Sequence, residues 1–408
     1  MTTGLAASLN LASFALASIW LPTEQLVAFR LIMNTAITSG TLLCLGWDSS
    51  VVRLQPAERL GLLSSALGLL GCVSLFLFVI GTHLGVTSSF GPYALGLSLG
   101  CLIAYTILHF NVLRADGAYV SYFIGINFLD KMWRAGVVAI ACFLGGGLLY
   151  FSLFLGIIAW VFLLALQKRV RPSFKLAKVK NFAKYPNRHR NVFFLASTAF
   201  MFWLARAVYF LTPRSEVDAL IAIDLAMMLG AFLFVPLQSV LKVHEAERYR
   251  SGGSLFAHAK PKQLWQLFGL DVLILLGAFL VLVLYDHYVL HSAFDYNVGF
   301  TVLAGTVLIS ASPNLLQLAI HEGQKEIWKI AGLYLGITLC LYLASLWFEF
   351  SQAAAFFCAA SLYLILSARI MRLLELSDLY RQRLIRSLIL VTLVGIAFGV
   401  VKMSFGNG

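Results

Sequence analysis

Apolar stretches of about twenty residues, each closed by a short polar break, recur from one end of the chain to the other. They predict membrane spans near 3–21, 25–48, 60–82, 88–109, 120–142, 148–167, 191–211, 217–241, 263–285, 297–320, 326–348 and 352–373, with a thirteenth near 384–402. About twenty residues is the length an α-helix needs to cross the hydrocarbon core. Gly145-Gly146-Gly147 splits the long apolar run from 120 to 167, because three glycines favour a turn over a helix interior. The first stretch has no basic leader and no small-residue cleavage site, so it reads as a retained helix rather than a signal peptide. The predicted fold class is an all-α polytopic membrane protein of 12–13 transmembrane helices in two six-helix lobes with a central cleft.

Composition agrees with this pattern. Of 408 residues, 60% are apolar and 12% charged, and the mean hydropathy is +0.87. A soluble domain carries roughly 25% charged residues, so a cytosolic enzyme, a secreted domain and a disordered scaffold are all excluded. Cys44, Cys72, Cys101, Cys142, Cys340 and Cys358 lie inside apolar stretches without CxxC or zinc spacing, and read as reduced, buried small hydrophobes.

The net charge of +12 raises the question of nucleic acid, and position answers it. With residue 1 cytoplasmic and sides alternating, 24 of the 30 Lys and Arg fall in inside loops, among them Arg53, Arg59 and Arg114. Outside segments hold only Arg214 and, with a thirteenth span, Lys402. Such asymmetry is the positive-inside signature and places the N-terminus in the cytoplasm. The densest block, residues 168–190, has nine Lys and Arg and no acid. It can be read as a nucleic-acid or anionic-lipid patch, or as a positive-inside anchor between two halves. The second reading absorbs the charge without invoking nucleic acid.

Six spans on each side of that block invite a search for duplication. EQLVAFRLIMN from Glu24 can be laid on DALIAIDLAMM from Asp218, at an offset of 194. LRADGAYVSYFIGIN around Gly117 resembles AIHEGQKEIWKIAGLY around Gly323, at an offset of 206. The offset grows by 12 where the second half has the longer loop (242–262 against 53–59), so the two matches agree with each other. The expected organisation is an N-terminal lobe over 1–167, a basic cytoplasmic linker over 168–190, a C-terminal lobe over 191–373 and an added helix within 374–408.

Four basic residues, Arg30, Lys131, Arg134 and Arg206, fall within spans. A charge at mid-bilayer costs at least about 2.5–3.5 kcal/mol, so each needs a partner, a water-filled cavity or a route to the interface. Arg30, Asn34, Thr38 and Thr41 form one polar stripe at helical spacing. Asn127, Asp130, Lys131 and Arg134 form a second, and Ser310, Asn314, Gln317 and His321 a third. Asp224 occupies the position equivalent to Arg30, and Asp271 lies about two turns into the ninth span. One reading is a hydrated cationic cleft for an anionic ligand, lined by Arg30, Asn34, Lys131, Arg134 and Arg206, with Asp130, Asp224 and Asp271 as candidate coupling carboxylates. The alternatives are snorkelling of Arg30 and Arg206 to the interface, a local Asp130 pair, and plain Asp–Arg packing between helices. No Walker, HExxH or CxxC motif occurs, so the expectation is a non-enzyme without cofactor or metal.

GWDSSVVR (46–53) resembles the Gly-Leu-Asp-x-x-Val-Arg signature of bacterial polysaccharide and O-antigen flippases, within the multidrug/oligosaccharidyl-lipid/polysaccharide exporter superfamily. LRADGAYVSY and AIHEGQKEIWKI resemble the same family's turn motifs, and the 6 + 6 layout matches over nearly the whole chain. The segment after the first span, LPTEQLVAF, departs from the family pattern, as does the thirteenth span. The resemblance implies an inner-membrane protein that moves an undecaprenyl-diphosphate-linked oligosaccharide across the cytoplasmic membrane. Its implied partners are that lipid-linked glycan, membrane lipids and polysaccharide-assembly proteins. A small-molecule exporter of the same superfamily and a glycan polymerase or ligase are the rival readings.

Overall fold

The computed structural model describes residues 17–44, 47–125, 149–173, 207–213, 216–227, 286–290, 295–310, 326–347 and 351–373, with shorter pieces within 132–139, 229–230, 272–284 and 385–396. Among these residues there is helix and turn but no strand. The chain divides into two compact units, Met1–Trp203 with Val243–Gly253 and Leu204–Lys242 with Ser254–Gly408. In the first unit the long helices are α1 (Thr23–Leu43), α2 (Pro56–Leu84), α3 (Gly91–Ala115) and α4 (Leu149–Gln167). In the second they are α5 (Tyr296–Ser310), α6 (Glu326–Trp347) and α7 (Gln352–Leu373). Among the described residues, four stretches, Gln25–Leu43, Pro56–Leu84, Gly91–Ala115 and Tyr150–Gln167, are long and apolar enough to cross a membrane.

Local chemistry sets the ends of these helices. Pro56 opens α2 where a missing N–H costs nothing, and Gln55 and Glu58 form a capping box in which the Gln55 N–H donates to Glu58 Oε2 at 3.0 Å. At the end of α3 the Gly117 N–H donates to the Arg114 carbonyl and the Ala118 N–H to that of Leu113, a Schellman cap. That cap needs a left-handed residue, and Gly117 supplies it with φ +82°.

The helix α3 is the hub of the first unit: it packs on α1, α2 and α4, and 89% of its apolar window is buried, against 28% for α2 and 33% for α4. The outer faces of α2 and α4 carry exposed apolar side chains such as Leu69, Phe76, Phe151 and Phe162, as a lipid-facing surface requires. Lipid is as apolar as leucine, so close contact and hydrogen bonds must hold such helices together. The α1–α3 seam is built from small residues. A Cβ on Gly96 would lie 2.8 Å from the Ile32 carbonyl oxygen, and one on Gly100 would run into Ser39 Oγ and lie 3.1 Å from the Ala36 carbonyl.

The α2–α3 seam uses reciprocal hydrogen bonds: Ser74 Oγ donates to the Ser98 carbonyl at 2.9 Å and Ser98 Oγ to the Ser74 carbonyl at 2.8 Å. Interhelical bonds of this kind average about 0.6 kcal/mol in membranes, with a maximum near ~1.7 kcal/mol. Ser98→Ala is therefore expected to lower stability by about 0.6–1.7 kcal/mol, read as the midpoint shift in detergent unfolding.

In the second unit α5 and α6 each pack on α7. Gly305 lies under the Phe356 ring, and Tyr334 Oη donates to the Ala359 carbonyl at 3.2 Å. Gly230 abuts the side chain of Thr306. By the offsets of 194 and 206, Gly230 and Thr306 are the equivalents of Ala36 and Gly100. The same close approach therefore occurs at matching positions of both units.

Several expectations are corrected. The second span ends at Leu43 rather than at residue 48, and 46–53 does not simply close that span. Trp47–Ser50 is a separate helical turn followed by a 3-10 turn, Val51–Arg53, and both pack on α3. The fourth span runs on to Ala115, so Arg114 is not a solvated loop residue: it is fully buried in the last helical turn. Three of the six cysteines, Cys72, Cys340 and Cys358, are exposed on helices rather than buried. The stretches 3–16, 191–206, 231–271 and 397–408 lie outside the described residues.

Candidate functional site

Two polar clusters stand out in the first unit, one along α1 and one at the end of α3. Arg30 lies seven residues into α1, about 10 Å along its axis at 1.5 Å per residue. It is 2% exposed, and its Nη2 donates to Ser18 Oγ at 3.1 Å. Its helical neighbours Leu26 and Phe29 pack in a core cluster with Ala17, Leu21, Val138 and Leu153. One turn on, Asn34 is 1% exposed, and one turn further Thr38 is also buried. Thr41 is half-buried and donates to its own helix, to the Ile37 carbonyl at 2.9 Å. The stripe predicted from spacing thus begins as a run of buried groups, Arg30, Asn34 and Thr38, with the charge enclosed by protein.

The other predicted residues are placed unevenly. Asp224 is half-buried on the helix over 217–227 in the second unit. Asp130, Lys131, Arg134, Arg206 and Asp271 lie outside the described residues, as do Asn314, Gln317 and His321.

The second cluster was legible only as separate motifs, and the fold brings them together. Asp116, the residue that caps α3, accepts from Arg59 Nη1 at 2.6 Å and from Lys168 Nζ at 2.7 Å. Arg59 belongs to the first turn of α2, and Lys168 follows the last residue of α4. One carboxylate thus ties three helices at a common end. Arg59 also reaches back to the turn before α2, donating from Nε to the Val51 carbonyl at 3.2 Å and from Nη2 to that of Val52 at 3.4 Å. Arg114 Nη2 donates to the Asp48 carbonyl at 3.1 Å, and the guanidinium lies 5.9 Å from the centre of the Tyr122 ring. Residues of GWDSSVVR are therefore fastened to residues of LRADGAY by two arginines. Nearby, His109 Nε2 lies 3.4 Å from Gln167 Oε1, joining α3 to α4.

Partial burial pushes the Asp116 carboxyl up, but the Lys168 ammonium and the Arg59 guanidinium outweigh it and hold the group below the usual aspartate value. A depressed carboxylate contributes stability that is present above its unfolded pKa and is lost as pH falls through the folded one. Between pH 5 and 8 the ties are constant. Asp116→Asn is expected to cost about 0.2–1 kcal/mol, since the pairs are partly solvated. The loss should be the same at pH 5.5 and pH 8 in detergent unfolding and should shrink only in strong acid.

No family model, curated protein or solved structure matches the chain.

Proposed function

We propose that the protein is a flippase that carries an undecaprenyl-diphosphate-linked oligosaccharide from the cytoplasmic to the periplasmic leaflet of a bacterial inner membrane. In this reading the two units are lobes related by duplication and rock about the basic linker, with a cationic cleft between them. The observation that carries it is Arg30: a fully buried guanidinium on a membrane-spanning helix, followed by Asn34 and Thr38 on the same stripe. A diphosphate needs cationic donors in a medium of low dielectric, and arginine offers the bidentate geometry that phosphate oxygens accept. The joined motifs at the end of α3 support the same reading, since the segments that resemble the flippase signature act as one structural unit. The same proposal assigns Lys131, Arg134 and Arg206 as further cationic groups for the substrate, and Asp130, Asp224 or Asp271 as carrier if an ion gradient drives the cycle.

The decisive experiment is deletion of the gene followed by tracking of the lipid-linked glycan in spheroplasts. Undecaprenyl-diphosphate glycan should accumulate out of reach of a periplasmic glycosidase, with surface polysaccharide lost. Normal glycan display accompanied by drug hypersensitivity would overturn the proposal in favour of a small-molecule exporter.

A further inference from the structure

The start of the basic linker is held by the fold at the rim of the apolar belt. Exposed large apolar side chains run along α2 from Leu69 to Leu84 and along α4 from Phe151 to Leu166. Each of these stripes covers sixteen residues, about 23 Å of helix, and the Phe78 ring of α2 stacks on the Phe154 ring of α4 at 3.7 Å, which sets the two stripes side by side. The α4 stripe stops beside the linker, and on α2 a single exposed apolar residue, Leu60, lies beyond it. Arg169 lies three residues beyond Leu166, and the Ser173 N–H donates to the Ser64 carbonyl of α2 at 3.0 Å, five residues before Leu69. Gly68 makes room for this contact: a Cβ there would lie 2.8 Å from the Ser173 carbonyl oxygen.

The route of the chain is fixed by a second Schellman cap, at the end of α4. The Arg169 N–H donates to the Leu166 carbonyl at 3.0 Å and the Val170 N–H to that of Ala165 at 2.8 Å. Arg169 takes the left-handed position with φ +52°, where glycine or asparagine is usual. Lys168, just before it, is committed to Asp116. Arg169 and Arg171 are exposed, and no ion pair joins either of them among the described residues.

From this geometry we propose that Arg169 and Arg171 form a docking surface for anionic lipid headgroups at the membrane interface, where they hold the linker against α2. The inference needs only that α2 and α4 span the membrane, and it stands apart from the flippase reading. Two guanidinium groups at headgroup depth have the charge, and the donors, that a phosphodiester accepts. Basic residues near an anionic surface each contribute about 1 kcal/mol, which is about a fivefold factor in binding.

The test uses the full-length protein purified in dodecyl maltoside, with bound lipid counted by native mass spectrometry during titration with phosphatidylglycerol or phosphatidylcholine. Phosphatidylglycerol should be retained in preference. Arg169→Gly, which relaxes the backbone at the cap and should fold at least as well, is expected to reduce that preference about fivefold, and adding Arg171→Gln about 25-fold for the pair. Arg169→Lys should keep the preference. Equal retention of the two lipids, or an unchanged preference in the double variant, would overturn the proposal. So would competition by inorganic phosphate as strong as that by lipid, which would indicate a free-anion site. Tighter capture of a single-stranded oligonucleotide than of phosphatidylglycerol would do the same. None of these outcomes depends on glycan transport, so the flippase reading fails or survives separately.

Discussion

Replacing Arg30 by alanine is expected to lower surface glycan at least tenfold in a complemented deletion strain while the protein still inserts. The argument begins with cost. A guanidinium in a membrane helix is expensive even on the lenient scale, and a structural need for it would be met as well by apolar packing. If Arg30 only packed, its loss would leave transport intact, and Arg30→Met, which fills similar space, would behave like wild type. If it meets phosphate, removing a charge-assisted donor forfeits about 1.5–3 kcal/mol, or roughly 10- to 100-fold in a step that needs it. Arg30→Lys keeps the charge but loses the planar fork and should fall in between. The measurement is surface polysaccharide per inserted molecule, with membrane level quantified in parallel. Wild-type display from Arg30→Ala would remove Arg30 from the proposed substrate site.

Gly100→Leu should have the larger effect on folding, with little folded protein recovered from the membrane. At this position the added Cβ meets Ser39 Oγ, which is itself committed to the Thr35 carbonyl at 2.6 Å, and presses on the Ala36 carbonyl. A backbone oxygen cannot rotate away, so α1 and α3 must separate. Overpacking costs about 1–3 kcal/mol in ordinary cores and more where helices must move. Here the strained helix is the one on which α1, α2 and α4 all pack. Gly100→Ala should be milder, and Ser39→Gly combined with it should recover part of the loss, because the atoms in the way are gone. Fluorescence-detected size exclusion of the solubilised protein reports the outcome. A monodisperse Gly100→Leu peak of wild-type height would show that the seam can widen freely.

What the sequence made legible was helix existence and the stripe on α1. Twenty-residue apolar runs have one economical structure in lipid, and a spacing of 4 and 4 puts Arg30, Asn34 and Thr38 on one side of any helix. Helix ends were less legible. The pattern predicts a fourth span ending near residue 109, because Asn111 and Arg114 interrupt the apolar run. They instead continue α3 in a fully buried last turn, with Arg114 donating to a carbonyl sixty-six residues away. No local pattern announces such a partner. The α1–α3 seam was missed for a different reason: Gly96 and Gly100, four apart, are a small-residue signal for close helix contact, but glycine in an apolar run is also common in spans. The Arg59–Asp116–Lys168 ties required three loops to meet, which only the fold supplies.

The matched approaches at Ala36–Gly100 and Gly230–Thr306 bear on how unlike the halves can become. At each seam the backbone spacing is kept, yet the glycine has changed sides, sitting on α3 in one unit and on the opposite helix in the other. Each unit thus meets a close helix approach with a different pair of residues. A scaffold maintained in this way leaves the rest of each helix face free to drift. By the offset of 194, the position that aligns with Arg30 holds an aspartate, Asp224, rather than a second arginine. Spacing held while charge is reversed, Arg30 in one unit and Asp224 in the other, is the mark of a scaffold constrained by contact distance and not by side-chain identity.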